Sequence, residues 1–130
     1  MSEVVLDASV VTDLLIGVGQ VDRLVEMSAQ RWHAPAHLDV EVTSALRGLV
    51  LGGHLSPSRA VDALIDLADL DIRRWPMDLA SARRVLALRD TMTAYDAAYV
   101  VCAEGVDGSL VTRDRRLARA CADLVDTVVL

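Results

Sequence analysis

The sequence predicts an α/β fold of three layers, in which a central, mostly parallel five-stranded sheet lies between two layers of helices. Short β-branched and apolar runs alternate with longer helical stretches along the 130 residues, which is the pattern of a parallel sheet covered on both faces. A hydrophobic fraction of 53% and a charged fraction of 25% are typical of a folded chain with a substantial core. The length matches one ordinary domain, so we expect a single domain over residues 1–130.

Five strands are predicted from short segments rich in apolar and β-branched residues. In chain order they are Val4 to Leu6, Trp32 to Pro35, Ile72 to Trp75, Ser109 to Thr112 and Thr127 to Leu130. Glycines between the predicted elements mark short loops. Because helical text separates each strand from the next, parallel pairing is favoured.

Seven helices are predicted from apolar residues at helical spacing. They are Ser9 to Ile16, Val21 to Ala29, Leu38 to Leu51, Ser58 to Leu70, Leu79 to Arg89, Ala94 to Glu104 and Asp114 to Cys121. Small polar residues that precede four of these stretches are the expected N-caps, because their side chains can accept free backbone N–H groups. These N-caps are Ser56 or Ser58, Asp78, Thr93 and Asp114.

Charge and composition exclude several classes of function. The 19 acids and 13 bases give a net charge of −6, so no broad basic nucleic-acid-binding face is predicted. Every base is arginine, and the absence of lysine excludes Schiff-base enzymes, P-loop proteins and phospho-receiver modules. No apolar run approaches the roughly 20 residues that cross a bilayer, and the acidic start of the chain does not resemble a secretory signal. We therefore expect a cytoplasmic protein with no membrane contact.

Two acids come within two residues of the ends of predicted strands. Asp7 comes after the first strand, and Asp114 comes two residues after Thr112, the end of the fourth. The carboxyl ends of parallel strands form the ligand crevice of open α/β sheets, so both carboxylates are candidate site residues. The alternative is that each side chain only caps the helix that follows it.

Further candidate acids lie within two of the predicted helices. Asp96 is in a helix that is apolar on nearly all sides, where an ionised carboxylate needs a cation, donors or a proton to compensate its burial. Capping is again the alternative, because Thr93 and Asp96 have the spacing of a capping box. In the third helix Asp39 and Glu41 lie at opposite edges of the apolar stripe, and periodicity does not choose between them.

Carboxylates that converge on one crevice repel one another, and a hard divalent cation is the natural compensation. Oxygen ligands favour Mg²⁺ or Mn²⁺, which could support hydrolysis of a phosphodiester. Zinc is less favoured, because Pro35 between His33 and His37 prevents a shared helical face. These two histidines are interpreted as ordinary surface or core residues.

Four blocks of sequence, in this order and spacing, resemble the PIN-domain ribonucleases and, within them, the VapC-type toxins of bacterial toxin–antitoxin pairs. They are Val5 to Val10 (VLDASV), Pro35 to Val42 (PAHLDVEV), Thr93 to Tyr99 (TAYDAAY) and Leu110 to Leu117 (LVTRDRRL). The resemblance covers nearly the whole chain. It implies a PIN-like fold, Mg²⁺- or Mn²⁺-dependent endoribonuclease activity on RNA, a homodimer and inhibition by a cognate antitoxin protein.

The family's acidic site carries over onto four residues of this chain. The resemblance implies that Asp7, Glu41, Asp96 and Asp114 are both catalytic and metal-binding. Ser9 and Thr112 match small hydroxyl positions, for which we expect supporting roles. Some PIN domains have one more acid a helical turn later, where this chain has Ala118, so one ion and two ions remain alternatives.

The arginines around Asp114 have two interpretations. Arg113, Arg115 and Arg116 could hold phosphates or a partner's acids, or they could form a solvated helix face. The apolar first two helices are interpreted as a partner surface, with core packing as the alternative. For the whole chain, the alternative to an active enzyme is a catalytically weak or inactive PIN-like module that binds RNA or a protein.

Overall fold

The central sheet has five strands, all parallel, in the order β3-β2-β1-β4-β5. The structure is a computed structural model that describes residues 2–130. The strands are β1 Glu3–Leu6, β2 Arg31–Pro35, β3 Ile72–Trp75, β4 Ser109–Thr112 and β5 Thr127–Val129. The predicted strands are therefore confirmed, with shifts of one residue at three of the ten ends, and the sheet has no antiparallel pair within residues 2–130.

Seven helices connect the strands within the described residues. They are α1 Ala8–Ile16, α2 Val21–Glu26, α3 Leu38–Leu51, α4 Pro57–Asp69, α5 Leu79–Ala87, α6 Ala94–Val106 and α7 Arg115–Ala120. Side chains accept a backbone N–H at the predicted caps of α4, α5, α6 and α7, and Ser56 rather than Ser58 caps α4. No helix in residues 2–130 combines the length and the apolar character that a membrane span requires.

The helices form two layers around the sheet. In one layer α6 packs against β1, β2 and β4, with α5 beside it, and in the other α1, α3 and α4 pack together. Val5 and Leu6 of β1 are adjacent and both completely buried, as are Leu110 and Val111 of β4. Adjacent strand residues point to opposite faces, so both faces of the sheet are covered, as in other parallel sheets.

The strand order creates a crevice between β1 and β4. From β1 the chain moves outward through β2 and β3, and then returns to place β4 on the other side of β1. The position where the strand order reverses in this way is called the switch point. Ligands of open α/β sheets bind there, beyond the carboxyl ends of the strands. Asp7 lies there, because its backbone N–H donates to the carbonyl oxygen of Val111 at 3.0 Å.

Some of the apolar residues in and next to the first two helices belong to the core, and others are exposed. Val10, Val11, Leu15 and Leu24 are at most 7% exposed, so they pack inside the protein. For these four residues core packing, the alternative, is therefore correct, whereas Val18 and Val25 nearby are 46% and 54% exposed, and for them the partner surface stays a prediction. The buried residues belong mainly to α1, because this helix covers one face of the parallel sheet.

Candidate active site

Asp7 is held by hydroxyl groups from two different segments. Its Oδ2 accepts hydrogen bonds from Ser9 Oγ at 3.1 Å and from Thr112 Oγ1 at 2.7 Å. Although Asp7 is at the N-cap position of α1, its side chain accepts no capping hydrogen bond. The capping alternative therefore fails for Asp7, and its carboxylate is oriented toward the crevice between β1 and β4.

Asp114 does cap the helix that it precedes. Its Oδ1 accepts the backbone N–H groups of Arg116 at 2.9 Å and Leu117 at 3.1 Å. The backbone N–H of Asp114 itself donates to Thr112 Oγ1 at 3.0 Å. Thr112 is completely buried. Because its hydroxyl bonds to both residues, Thr112 connects Asp7 to Asp114 and fixes the positions of both.

Asp96 lies in the first turn of α6. Thr93 caps this helix by accepting the backbone N–H of Asp96 at 3.2 Å, while the carboxylate is contacted by Arg116 Nη2 at 3.4 Å. Burial raises the pKa of Asp96, the charges of Asp7 and Asp114 raise it further, and Arg116 lowers it. The three aspartates are thus close enough for their charges to repel.

Glu41 is connected to this group through Tyr99. The buried Tyr99 hydroxyl donates to Glu41 Oε1 at 2.8 Å, and burial, this bond and the charges of Glu41 and Asp7 raise the Tyr99 pKa. His37 Nε2 lies 2.9 Å from the same Glu41 oxygen. Asp39, the alternative in α3, instead forms a two-point ion pair with Arg74 of β3, at 2.9 and 3.2 Å.

Tyr99 and His37 are the site residues that sequence reasoning missed. The sequence analysis interprets His37 as an ordinary surface or core residue and gives Tyr99 no role in the site. The available signal was helical spacing, because His37 is four residues before Glu41 and Tyr99 is three residues after Asp96, and such pairs share a helix face.

The three predicted arginines have different surroundings. Arg113 Nη1 contacts both carboxylate oxygens of Asp13, at 2.9 and 3.1 Å, and Asp13 is only 9% exposed. Arg116 is exposed and lies within 3.4 Å of Asp96 and 3.7 Å of Asp114. Arg115 is exposed on α7. Arg113 therefore stabilises the loop after β4, and Arg116 is the guanidinium that contacts the acids.

The donor chemistry of the crevice fits a hard divalent cation. Asp7, Asp96 and Asp114 offer only oxygen atoms. Burial first, and then the charges of Asp7 and Asp114, raise the pKa of Asp96, and a cation relieves penalties of this kind. In the described residues 2–130, no three His, Cys, Asp or Glu side chains form a ready-made ligand set. Arg116 supplies the positive charge beside Asp96 and Asp114 in this arrangement.

Replacing Thr112 with valine is expected to destabilise the fold by about 1–3 kcal/mol, because the N–H of Asp114 loses its acceptor in a buried position. Asp7 loses a donor in the same change, so metal affinity is expected to fall by about 10–100-fold. Urea unfolding and Mn²⁺ titration measure the two effects. Thr112→Ser keeps the hydroxyl and is the control, and wild-type values for the valine variant would contradict the role given to Thr112.

Comparison with known proteins agrees with this geometry. The family model of the PIN domain matches residues 4–123. Ribonuclease VapC12 of Mycobacterium tuberculosis (strain CDC 1551 / Oshkosh) is 37% identical over 121 residues, covering 90% of this chain and 91% of the relative. Ribonuclease VapC1 of the same strain is 38% identical over 122 residues, with 92% of each chain covered.

Solved structures show the same fold. PAE2754 from Pyrobaculum aerophilum superposes with a TM-score of 0.72 at 25% identity, covering 96% of this chain and 83% of that chain. VapBC-5 from Mycobacterium tuberculosis, a member of the VapBC family of toxin-antitoxin systems, has a TM-score of 0.63 at 19% identity, with 100% and 98% covered. The parallel sheet, the acids at its switch point and these relatives lead to one conclusion: the chain belongs to the PIN domain family, in its VapC group.

Proposed function

We propose that this chain is a Mg²⁺- or Mn²⁺-dependent endoribonuclease that hydrolyses RNA phosphodiester bonds and acts as the toxin of a toxin–antitoxin pair. The observation that carries the proposal is that three aspartates share neighbouring contacts at the switch point. Thr112 Oγ1 bonds to the Asp7 carboxylate and to the Asp114 backbone, and Arg116 lies 3.4 Å from Asp96 and 3.7 Å from Asp114. The matching relatives are named ribonucleases, which favours RNA as the substrate.

Asp7, Asp96 and Asp114, with Glu41 beside them, are the residues that would hold the ion. A divalent cation supplies Lewis-acid stabilisation of the charge that develops on a phosphodiester during hydrolysis. The protein's own contribution is orientation: Ser9 and Thr112 hold Asp7 through its Oδ2, and the Tyr99 hydroxyl holds Glu41.

Arg116 is the residue best placed for a phosphate contact. It is two-thirds exposed, and its guanidinium lies at the rim of the site, beside Asp96 and Asp114. Guanidinium groups bind phosphate oxygens through two parallel hydrogen bonds. We assign Arg116, with its exposed neighbour Arg115, to the RNA backbone, which gives an acidic protein a local attraction for its substrate.

A cognate antitoxin and a second copy of the chain are the proposed partners, in the cytoplasm. VapBC-5 is described as a member of a toxin-antitoxin family, which supports an antitoxin. Leu79 and Leu86 of α5 are 76% and 64% exposed, and their spacing of seven residues places them on one side of that helix. Exposed apolar residues on one helix side are typical of protein contacts, which supports the homodimer.

Purified protein is expected to cut total RNA at internal sites when Mg²⁺ or Mn²⁺ is added and to leave it intact in EDTA. Addition of the cognate antitoxin is expected to stop the cutting. Gel electrophoresis of the RNA measures both results, and circular dichroism checks that the protein is folded in every sample. A folded, metal-loaded protein that cuts nothing would contradict the enzyme and favour the alternative, an inactive PIN-like module that binds RNA or a protein.

A further inference from the structure

A cavity of about 360 Å³ lies beside the acidic site, at the carboxyl ends of β2 and β3. Its walls come from Trp75 at the end of β3, from Met77 just after this strand, and from Ala94 and Tyr95 at the start of α6. His37 also lines it. The volume is near the lower end of the roughly 300–1,000 Å³ range of small-molecule sites, so the cavity suits one flat ring system.

The aromatic walls of the cavity are continuous with the catalytic groups. The ring of Tyr95 lies 5.8 Å from that of His37, and His37 lies 5.1 Å from Tyr99, both edge-on. Tyr99 and His37 contact Glu41, and Tyr95 immediately precedes Asp96. A chain of rings therefore leads from the carboxylates into the cavity.

Two of these rings have properties suited to stacking. Tyr95 is 66% exposed, so one face of its ring is free for a ligand. The Trp75 indole is held in place, because its Nε1 donates to His33 Nδ1 at 3.0 Å and the Arg73 guanidinium lies 4.0 Å from the ring centre. One wall is thus fixed and the other can adjust to an incoming ring.

We propose that this cavity binds one unpaired RNA base, next to the phosphodiester at the acidic site. The inference rests on the proposed ribonuclease function. It adds a binding site for the base, the part of the substrate that the acids do not contact. Proteins bind single-stranded RNA by stacking splayed bases on Phe, Tyr, Trp or His rings. The side chains of the lining offer few polar groups, chiefly the Ser81 hydroxyl and His37, so the cavity selects for a stacked ring more than for a particular base.

A second copy of the chain is the competing occupant of an apolar cavity. The exposed leucines of α5, at positions 79 and 86, lie on a different side of the helix from Ser81 and Val85, which face the cavity. A protein contact through those leucines therefore does not require the cavity. Its continuity with the carboxylates favours the substrate.

The test uses a short single-stranded oligoribonucleotide that contains one 2-aminopurine, whose fluorescence falls when it stacks on an aromatic ring. The full chain carries Asp96→Asn so that the probe is not cut. In this background Tyr95→Ala is expected to weaken binding by roughly 5- to 140-fold and to remove the quenching, since one stacked base contributes that much affinity. Tyr95→Phe keeps the ring and is expected to bind as the parent does.

Two further variants separate filling of the cavity from a general surface effect. Ala94→Leu adds bulk at the mouth of the cavity, on an exposed position at the start of α6, and is expected to weaken binding as Tyr95→Ala does. Val61→Ala removes an exposed apolar group from α4, outside the cavity, and is expected to change nothing. An abasic nucleotide in place of the 2-aminopurine is expected to lose affinity for the parent but not for Tyr95→Ala.

Three results would overturn the cavity's assignment. These are equal binding by Tyr95→Ala and the parent, no binding of the probe by the parent, and a change of oligomeric state in sedimentation velocity without a change in RNA binding. The last result would assign the cavity to a contact between copies. Failure of the nuclease proposal gives a different result. If the wild-type chain cuts no RNA but quenches the probe through Tyr95, the base site is supported and the nuclease activity is contradicted.

Discussion

Asp96→Asn is expected to reduce metal-dependent RNA cleavage by more than about 100-fold, because loss of an outer-shell partner alone typically costs 10–100-fold and Asp96 is assigned directly to the metal. The same substitution is expected to leave the metal-free fold at least as stable as wild type. Burial and the charges of Asp7 and Asp114 penalise the ionised Asp96 carboxylate, and asparagine removes that penalty at similar size. Loss of activity together with retained or increased stability would distinguish a functional acid from a helix cap.

The pH dependence of stability gives a second readout for Asp96. Because its pKa in the folded state is raised above the ordinary value of 3.8, the folded protein binds this proton more tightly than the unfolded chain. The resulting stabilisation is present below pH 3.8 and is lost as pH rises through the folded-state pKa. The free energy of unfolding of Asp96→Asn, minus that of wild type, is therefore expected to increase over this range, measured by urea unfolding without metal.

Asp39→Asn is the matched control for Asp96→Asn. The Asp39 carboxylate pairs with Arg74 outside the acidic site, so this variant makes the same chemical change where no catalytic role is proposed. We expect it to cleave RNA at close to the wild-type rate. Equal losses of activity in the two variants, or full activity of Asp96→Asn, would contradict the assignment of Asp96.

Gly108→Ala is expected to destabilise the protein by about 3 kcal/mol, near the upper end for overpacking, and to lower the melting temperature by roughly 10 °C. A Cβ at Gly108 would lie 2.6 Å from the carbonyl oxygen of Glu3. That atom belongs to the backbone of β1, which pairs in register with β4 starting at Val4 and Ser109. The methyl group can be accommodated only by moving two paired strands apart.

Gly105→Ala is expected to change the stability in the opposite direction, in the same region of the protein. Gly105 lies in α6, and a Cβ there would meet nothing within 4 Å. Alanine in a helix is favoured over glycine by about 0.5–1 kcal/mol, so a small increase in stability is expected. Thermal unfolding followed by circular dichroism compares the two variants. Similar melting temperatures for both would show that the close approach at Gly108 relaxes without cost.

The elements of the fold could be predicted from the sequence because the information about them is local. Short apolar and β-branched runs, separated by helical stretches, predict all five strands. Small polar residues before the helices predict the caps, including Thr93 and Asp114. Asp7 and Asp114 could be placed at one crevice because parallel strands end at the same edge of a sheet. The resemblance to PIN-domain ribonucleases then chose Glu41 over Asp39.

Contacts between distant segments could not be predicted in this way. The Asp39 side chain lies outside the acidic site because it binds Arg74, 35 residues later. Helical periodicity contains no information about such a partner on β3. Arg113 forms an ion pair with Asp13, 100 residues earlier. The contact of Tyr99 with Glu41 spans 58 residues. These pairings depend on how elements pack, which a single sequence without a fold does not specify.

The bond from Thr112 to Asp7 joins groups 105 residues apart, and this separation has a consequence for synthesis of the protein. A ribosome releases the chain from its N-terminus, so Asp7 emerges long before the strand that orients it. β1 cannot pair with β4 until residues 109–112 have been made. The nascent polypeptide therefore has no assembled acidic site before β4 emerges, and until then the translation machinery is not exposed to the proposed ribonuclease activity.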